Sequence, residues 1–145
     1  MTDPATQHDG QIPASYLDIL QRESIGHLTT LDPDGWPQTT PVWTDHDGQE
    51  AVLVNTLRGR RKERNIARDP RVTISVPDPD NPYRYLAVRG RATMTESGAR
   101  EHIDELARAY LDVDVYPHHD EEAASRVIVR IPASDVITRG RSEDR

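Results

Sequence analysis

The chain has 145 residues, no cysteine, and 25 acidic against 18 basic side chains, for a formal charge of −7. That balance argues against broad nucleic-acid or anionic-membrane binding, and the missing cysteines remove disulfides, zinc–thiolate sites and thiol nucleophiles. Apolar content of 34% without phenylalanine, and a mean hydropathy of −0.77, give one domain a lean core; such a core often means that some apolar surface is buried against another subunit.

Met1 to Gln11 is polar and lacks an apolar signal core, and no apolar run approaches the roughly 20 residues of a membrane span. A flexible tail over 1–12, one domain over 13–139, a short tail over 140–145 and a cytoplasmic location are the expectations. Pro13 suits a first helical turn, and Tyr16, Leu17, Ile19 and Leu20 make a short helical stripe. Gly26–Leu31 alternates as a strand. Asp32-Pro33-Asp34-Gly35 is turn chemistry, and Gln38–Thr44 returns as a second strand whose Pro41 points to an edge or bulge. Asp45-His46-Asp47-Gly48 turns the chain again, and Glu50–Asn55 is a third strand.

A helix over Arg60–Arg68 follows, stopped by Asp69-Pro70. Arg71–Val76 is a fourth strand, 77–82 a proline-rich loop, and Tyr83–Thr95 a long fifth strand with Gly90 at a bulge or close approach. Ser97 is placed to cap a helix through Leu111, with Ile103, Leu106, Ala107, Tyr110 and Leu111 on one buried stripe and His102 on the exposed side. An acidic connection over 112–124 leads to a last full strand, Arg126–Ile131, and a short one at Val136–Thr138. The sum is a mainly β (α+β) protein: a six- or seven-stranded antiparallel barrel with peripheral helices.

Arg58, Arg60, Arg61, Lys62, Arg64 and Arg68 crowd into eleven residues, so that residues 58–68 carry +5 and the remainder −12. The cluster sits where a strand gives way to a helix start, whose unpaired N–H groups also favour negative charge. An anionic ligand is the reading this supports, weighed against a solvated helix face. His118-His119-Asp120-Glu121-Glu122 invites a metal reading, but adjacent histidines point apart and no second histidine pair stands at ligand spacing; a solvated acidic loop is expected.

The ordered elements Gly26-His27-Leu28-Thr29-Thr30, Asp34-Gly35-Trp36-Pro37-Gln38, Pro41-Val42-Trp43, Asn55-Thr56, the Lys62/Asn65 helix, Asp69-Pro70-Arg71-Val72 and Gly90-Arg91-Ala92 resemble the pyridoxamine 5′-phosphate oxidase-like split β-barrel flavoproteins. Within them the chain is similar to the branch that uses the deazaflavin coenzyme F420. The resemblance implies a homodimer with two cofactors in clefts at the subunit interface. It implies that Arg60 and Lys62 hold the cofactor's phosphate and acidic tail, with Arg61 and Arg64 as helpers for the oligoglutamate extension and Thr56 beside the phosphate. Pro41, Val42 and Trp43 would line the ring system, and Tyr83 would border it from the other subunit. Trp43 and Tyr83 also read as plain barrel packing.

Three functions remain open at this point. The first is an F420-dependent oxidoreductase passing a hydride to an unsaturated or conjugated small molecule, the protein orienting and shielding the coenzyme. The second is an FMN enzyme on the same barrel. The third is a non-catalytic cofactor- or polyanion-binding dimer. The excess of cations over what one phosphate needs favours the first. Neither a catalytic side chain nor a metal is expected.

Overall fold

The computed structural model describes residues 5–140. Ten strands, three α-helices and two short 3-10 turns follow in order. The strands are β1 (Thr6–Asp9), β2 (Ile25–Leu31), β3 (Pro37–Trp43), β4 (Asp45–Asp47), β5 (Ala51–Leu57), β6 (Arg71–Asp78), β7 (Asn81–Arg91), β8 (Thr93–Thr95), β9 (Arg126–Pro132) and β10 (Asp135–Arg139). The helices are α1 (Leu17–Gln21), α2 (Arg61–Arg68) and α3 (Ala99–Leu111). One six-stranded sheet runs β1, β10, β7, β6, β2, β3 from edge to edge, and a four-stranded sheet runs β4, β5, β9, β8. Every pairing is antiparallel. This is the split barrel that the family resemblance implied.

Alternation builds the core. Val72, Ile74 and Val76 of β6, Leu86 and Val88 of β7, Val52 and Val54 of β5, and Val127, Val129 and Ile131 of β9 all point between the sheets and are buried. Their period-two neighbours stay partly exposed. Pro41 lies on β3, an edge strand, where its missing N–H interrupts no ladder.

Several expectations need correction. Among the described residues there are ten strands rather than six or seven, because short strands at the rims escape a pattern read over longer windows. The segment assigned to a flexible tail, 1–12, contains β1, which pairs Thr6–Asp9 with Thr138–Asp135 and so covers the free edge of β10. Ile12 in the same segment is fully buried, with its N–H donated to the Gln49 carbonyl at 2.8 Å. Residues 1–4 and 141–145, the outer parts of both assigned tails, lie outside the described residues. The long fifth strand is two: β7 stays in the large sheet, and the chain crosses at Ala92 into β8 of the small one. Gly98, not Ser97, is the cap residue of α3, in a left-handed conformation at φ 77°. Leu111 is 46% exposed, so the stripe on α3 ends one residue early.

Gly90 sits just before that crossing. A Cβ there would lie 2.4 Å from the Pro132 backbone oxygen. Backbone cannot swing aside as a side-chain tip can, so Gly90→Ala is expected to destabilise the protein by about 1–3 kcal/mol in urea unfolding. A wild-type midpoint for this variant would mean that the sheets separate there freely.

Candidate functional site

The basic segment is folded by one carboxylate. β5 ends at Leu57, Gly59 turns the chain at φ +92°, and Arg60 is the cap residue of α2. Glu63, three residues into the helix and buried, reaches back to accept the Gly59 N–H at 2.7 Å. This bond ties the first turn of α2 back to the residue before its cap, while the cap residue Arg60 makes no side-chain capping bond of its own.

The six cations then divide. Arg61 pairs with Asp32 through two bonds of 2.9 and 2.5 Å, which together with Asn65 hold the Asp32 carboxyl below its usual range. Arg58 meets Glu63 and Glu96 at 3.4 Å each, and Arg68 donates to the Leu31 carbonyl and to Asn65. Arg64 is exposed. Arg60 and Lys62 alone of the six line a cavity of about 390 Å³ between the small sheet, the tip of the large one and α3.

The same cavity is lined by Pro41, Val42 and Trp43 of β3, Ile25 of β2, Asn55 of β5, Ile103 and Leu106 of α3, Tyr116, and Arg126 of β9. It has an apolar wall and a cationic end. Trp43 is half-buried and stacks on Tyr110, with ring centroids 5.0 Å apart and 15° between planes. Arg126 is buried; its Nε and Nη2 donate to Glu122 at 3.2 and 2.5 Å, its Nη2 to the Tyr116 hydroxyl at 2.8 Å, and its Nη1 to Asn55 at 3.3 Å. Its guanidinium lies 4.7 Å from the centre of the Tyr116 ring. Burial pushes Glu122 up, but the bonds and charge of Arg126 outweigh it, so the carboxyl titrates below its usual range. Lys62 titrates below the usual lysine range, first because it is half-buried and then because Arg60 and Arg126 repel its charge. Two like charges facing an ammonium that makes no ion pair among the described residues form a site complementary to an anion.

Of the nine residues predicted for the site, five line this cavity: Pro41, Val42, Trp43, Arg60 and Lys62. Arg61 is occupied by Asp32, and Arg64 is not a lining residue. Thr56 points into the core: it is 1% exposed and its Oγ1 has no hydrogen-bond partner among the described residues. Its neighbour Asn55 takes the pocket-facing position, as the two-residue period with Val52 and Val54 inside requires. Tyr83 is 70% exposed and lies outside the cavity. His102, expected outside, is buried against Asn55 and Asp45, because α3 lays that face over β4 and β5. The acidic connection is also less open than expected: His119 is anchored to Asp104 at 2.7 Å, which brings Tyr116 over the cavity. Arg126 gave no local signal, since it arrives from 66 positions beyond Arg60 through the pairing of Leu57 with Arg126. No cluster of three or more metal-ligating side chains occurs among the described residues, nor is any helix there long and apolar enough to cross a membrane.

A split barrel with a cationic, apolar-walled cavity beside the helix after β5 defines the class: a split barrel built to hold an anionic ligand with an apolar part. Residues 12–140 match the pyridoxamine 5′-phosphate oxidase family, and the chain belongs to it. Among solved structures it is similar to an F420 reductase, with 37% identity over 86% of this chain and 98% of that one and a TM-score of 0.73. It is also similar to a conserved hypothetical protein from Mycobacterium tuberculosis, with 25% identity over 88% and 89% of the two chains and a TM-score of 0.69. General stress protein 26 from Bacillus anthracis shares the fold at 21% identity, covering 83% and 88%, with a TM-score of 0.61.

Proposed function

We propose that the protein is a cytoplasmic, homodimeric oxidoreductase that uses coenzyme F420 to reduce an unsaturated or conjugated small molecule. The observation that carries this reading is the convergence of Arg60, Lys62 and Arg126 on one cavity whose remaining lining is mostly apolar. Three cations, of which only Arg126 is paired with a carboxylate, that of the partly buried Glu122, suit a phosphate group, and charge-assisted bonds from such donors contribute about 1.5–3 kcal/mol each. Pro41, Val42, Ile25, Ile103 and Leu106 offer an apolar wall to a flat ring, with Trp43 held in place by Tyr110.

When bound, reduced F420 supplies a hydride, two electrons at once, to an activated double bond. The chain's residues then have limited tasks: Arg60, Lys62 and Arg126 anchor the phosphate end, β3 and α3 shield the ring from water, and Tyr116 covers the cationic end. The exposed Tyr83, with Ile25 at 41% exposure, supports a second copy packing on the uncovered outer face of the large sheet. Sedimentation at micromolar concentration is expected to show a dimer, and a monomer would remove Tyr83 from the site.

Arg58, Arg61 and Arg68 have partners of their own, so the number of cations in the segment does not favour F420 over FMN. Three donors also suit the single phosphate of FMN. What supports the deazaflavin is the likeness to the F420 reductase. Parallel fluorescence titrations with the two cofactors decide: saturable F420 binding with weaker FMN binding is expected, and the reverse order would overturn the choice. Oxidation of the reduced coenzyme by a panel of conjugated acceptors, followed by absorbance, then separates an enzyme from a carrier. Because the cationic end is partly open, raising salt from about 0.1 M to about 1 M, which shortens screening from about 10 Å to about 3 Å, is expected to raise the apparent Kd several-fold. A salt-independent Kd would place the binding energy on the apolar wall instead.

A further inference from the structure

Asn55 lines the cavity, yet its amide is fully committed to the protein. Its Nδ2 donates to the Ala99 carbonyl at 2.9 Å and contacts His102 Nδ1 at 3.1 Å, while its Oδ1 accepts from Arg126 Nη1 at 3.3 Å. A carbonyl only accepts and a guanidinium only donates, so both neighbours demand the same amide orientation. With the second amide hydrogen aimed at His102, Nδ1 must be the acceptor and the ring proton must sit on Nε2. That proton is donated to Asp45 Oδ2 at 3.0 Å. The line therefore runs from a carboxylate on β4, through a buried imidazole on α3, to an amide on β5 and a guanidinium on β9.

We propose that Asp45 and His102 are positioning residues that lock the Asn55 amide and through it the direction of Arg126 in the anion site. The inference rests on the functional reading above for what the site holds, but not for how it is held. Arg126 has five N–H donors. Two bonds to Glu122, one to the Tyr116 hydroxyl and one to Asn55 use four of them, leaving one Nη1 hydrogen for an anion. Asn55 is the only one of these partners that accepts from Nη1; because the guanidinium is a rigid plane, this bond and those to Glu122 and Tyr116 together set where the remaining donor points. If His102 carried its proton on Nδ1 instead, two donors would face each other. The Asn55 amide would then have to turn its NH₂ toward Arg126, donor against donor. Asp45 prevents this by claiming the Nε2 proton.

The relay is tested first without ligand. Nitrogen-15 NMR of the histidine side chains is expected to show His102 as the Nε2–H tautomer, and an Nδ1–H tautomer would end the proposal whatever the variants do. Two substitutions follow. His102→Asn keeps an amide oxygen near the Nδ1 position as acceptor, whereas His102→Phe fills the space without one. The Arg126 Nε–H resonance is expected to move in His102→Phe and return toward its wild-type position in His102→Asn. In fluorescence titration with coenzyme F420, His102→Phe is expected to bind about fivefold to tenfold more weakly, the loss of one buried hydrogen bond's net contribution, and His102→Asn within about twofold of wild type. Equal losses in both variants, or wild-type behaviour in His102→Phe, would show that His102 serves packing alone. Wild-type protein that binds no F420 would refute the cofactor assignment, leaving the tautomer and the Arg126 resonance to judge the relay.

Discussion

Lys62→Ala is expected to weaken coenzyme binding by about 1.5–3 kcal/mol, roughly tenfold to more than a hundredfold in Kd, while leaving the unfolding midpoint unchanged or slightly raised. The two halves of this result have one cause. Lys62 is half-buried and faces Arg60 and Arg126, so its ammonium form is disfavoured in the empty folded protein. The sign follows: a lysine whose folded pKa lies below its unfolded value weakens the fold while charged, and that penalty fades as pH rises through the folded pKa. An anion reverses the balance by turning three mutually repelling cations into three donors. The Arg60→Ala variant, at a more exposed position, is expected to lose less. Isothermal titration for affinity and urea unfolding for stability check the pair. A stability loss matching the binding loss would make Lys62 a structural residue and would remove the anion site from this cavity.

The sheet framework was legible in the sequence because strand alternation and turn chemistry are local. Val72, Ile74 and Val76 announce an inward face by themselves, and Asp34-Gly35 announces its turn. The basic helix was legible for the same reason. What six adjacent cations do was not, since each one's partner arrives from elsewhere: Asp32 for Arg61, Glu96 for Arg58, the Leu31 carbonyl for Arg68. A charge run shows that positive side chains are plentiful; only the fold shows which remain without an acid. Thr56 is a different case: the alternation of Val52 and Val54 places it inside, so of the pair Asn55-Thr56 it is Asn55 that faces the cavity. His102 fell between the two cases. Its polar side chain beside Ile103 reads as a surface residue until Asp45 and Asn55 are brought up against it.

Arg84→Ala is expected to destabilise the protein by about 3–5 kcal/mol, the largest effect of any single change considered, against a total stability of about 5–15 kcal/mol for such a domain. The Arg84 side chain is 5% exposed on β7. It donates to Asp18 at 2.7 and 2.9 Å, to Asp78 at 3.0 Å and to the Ser15 carbonyl at 2.7 Å, and it lies 4.8 Å from the Tyr16 ring centre. Removing it leaves Asp78, whose side chain is 7% exposed, with Arg22 as its remaining ionic partner, and it unfastens the segment before α1 from the large sheet. Most of the cost comes from Asp78, because Asp18 is half-exposed and solvent screens it. The bonds from Arg84 lower Asp18, with burial opposing; burial opposes likewise at Asp78, where the Asp80 N–H, Arg84 and Arg22 prevail. Carboxyls with depressed folded pKa values stabilise above their unfolded value of 3.8, and that contribution disappears as pH falls through the folded ones. Denaturation curves at pH 7 and near pH 3 should therefore show the gap between wild type and Arg84→Ala narrowing in acid. None of Arg84's partners lines the cationic cavity, so the folded fraction of this variant is expected to bind the coenzyme as wild type does. Weakened binding at a temperature where it is fully folded would mean that the α1 segment and the cofactor site are coupled, and that the two ends of the barrel do not vary independently.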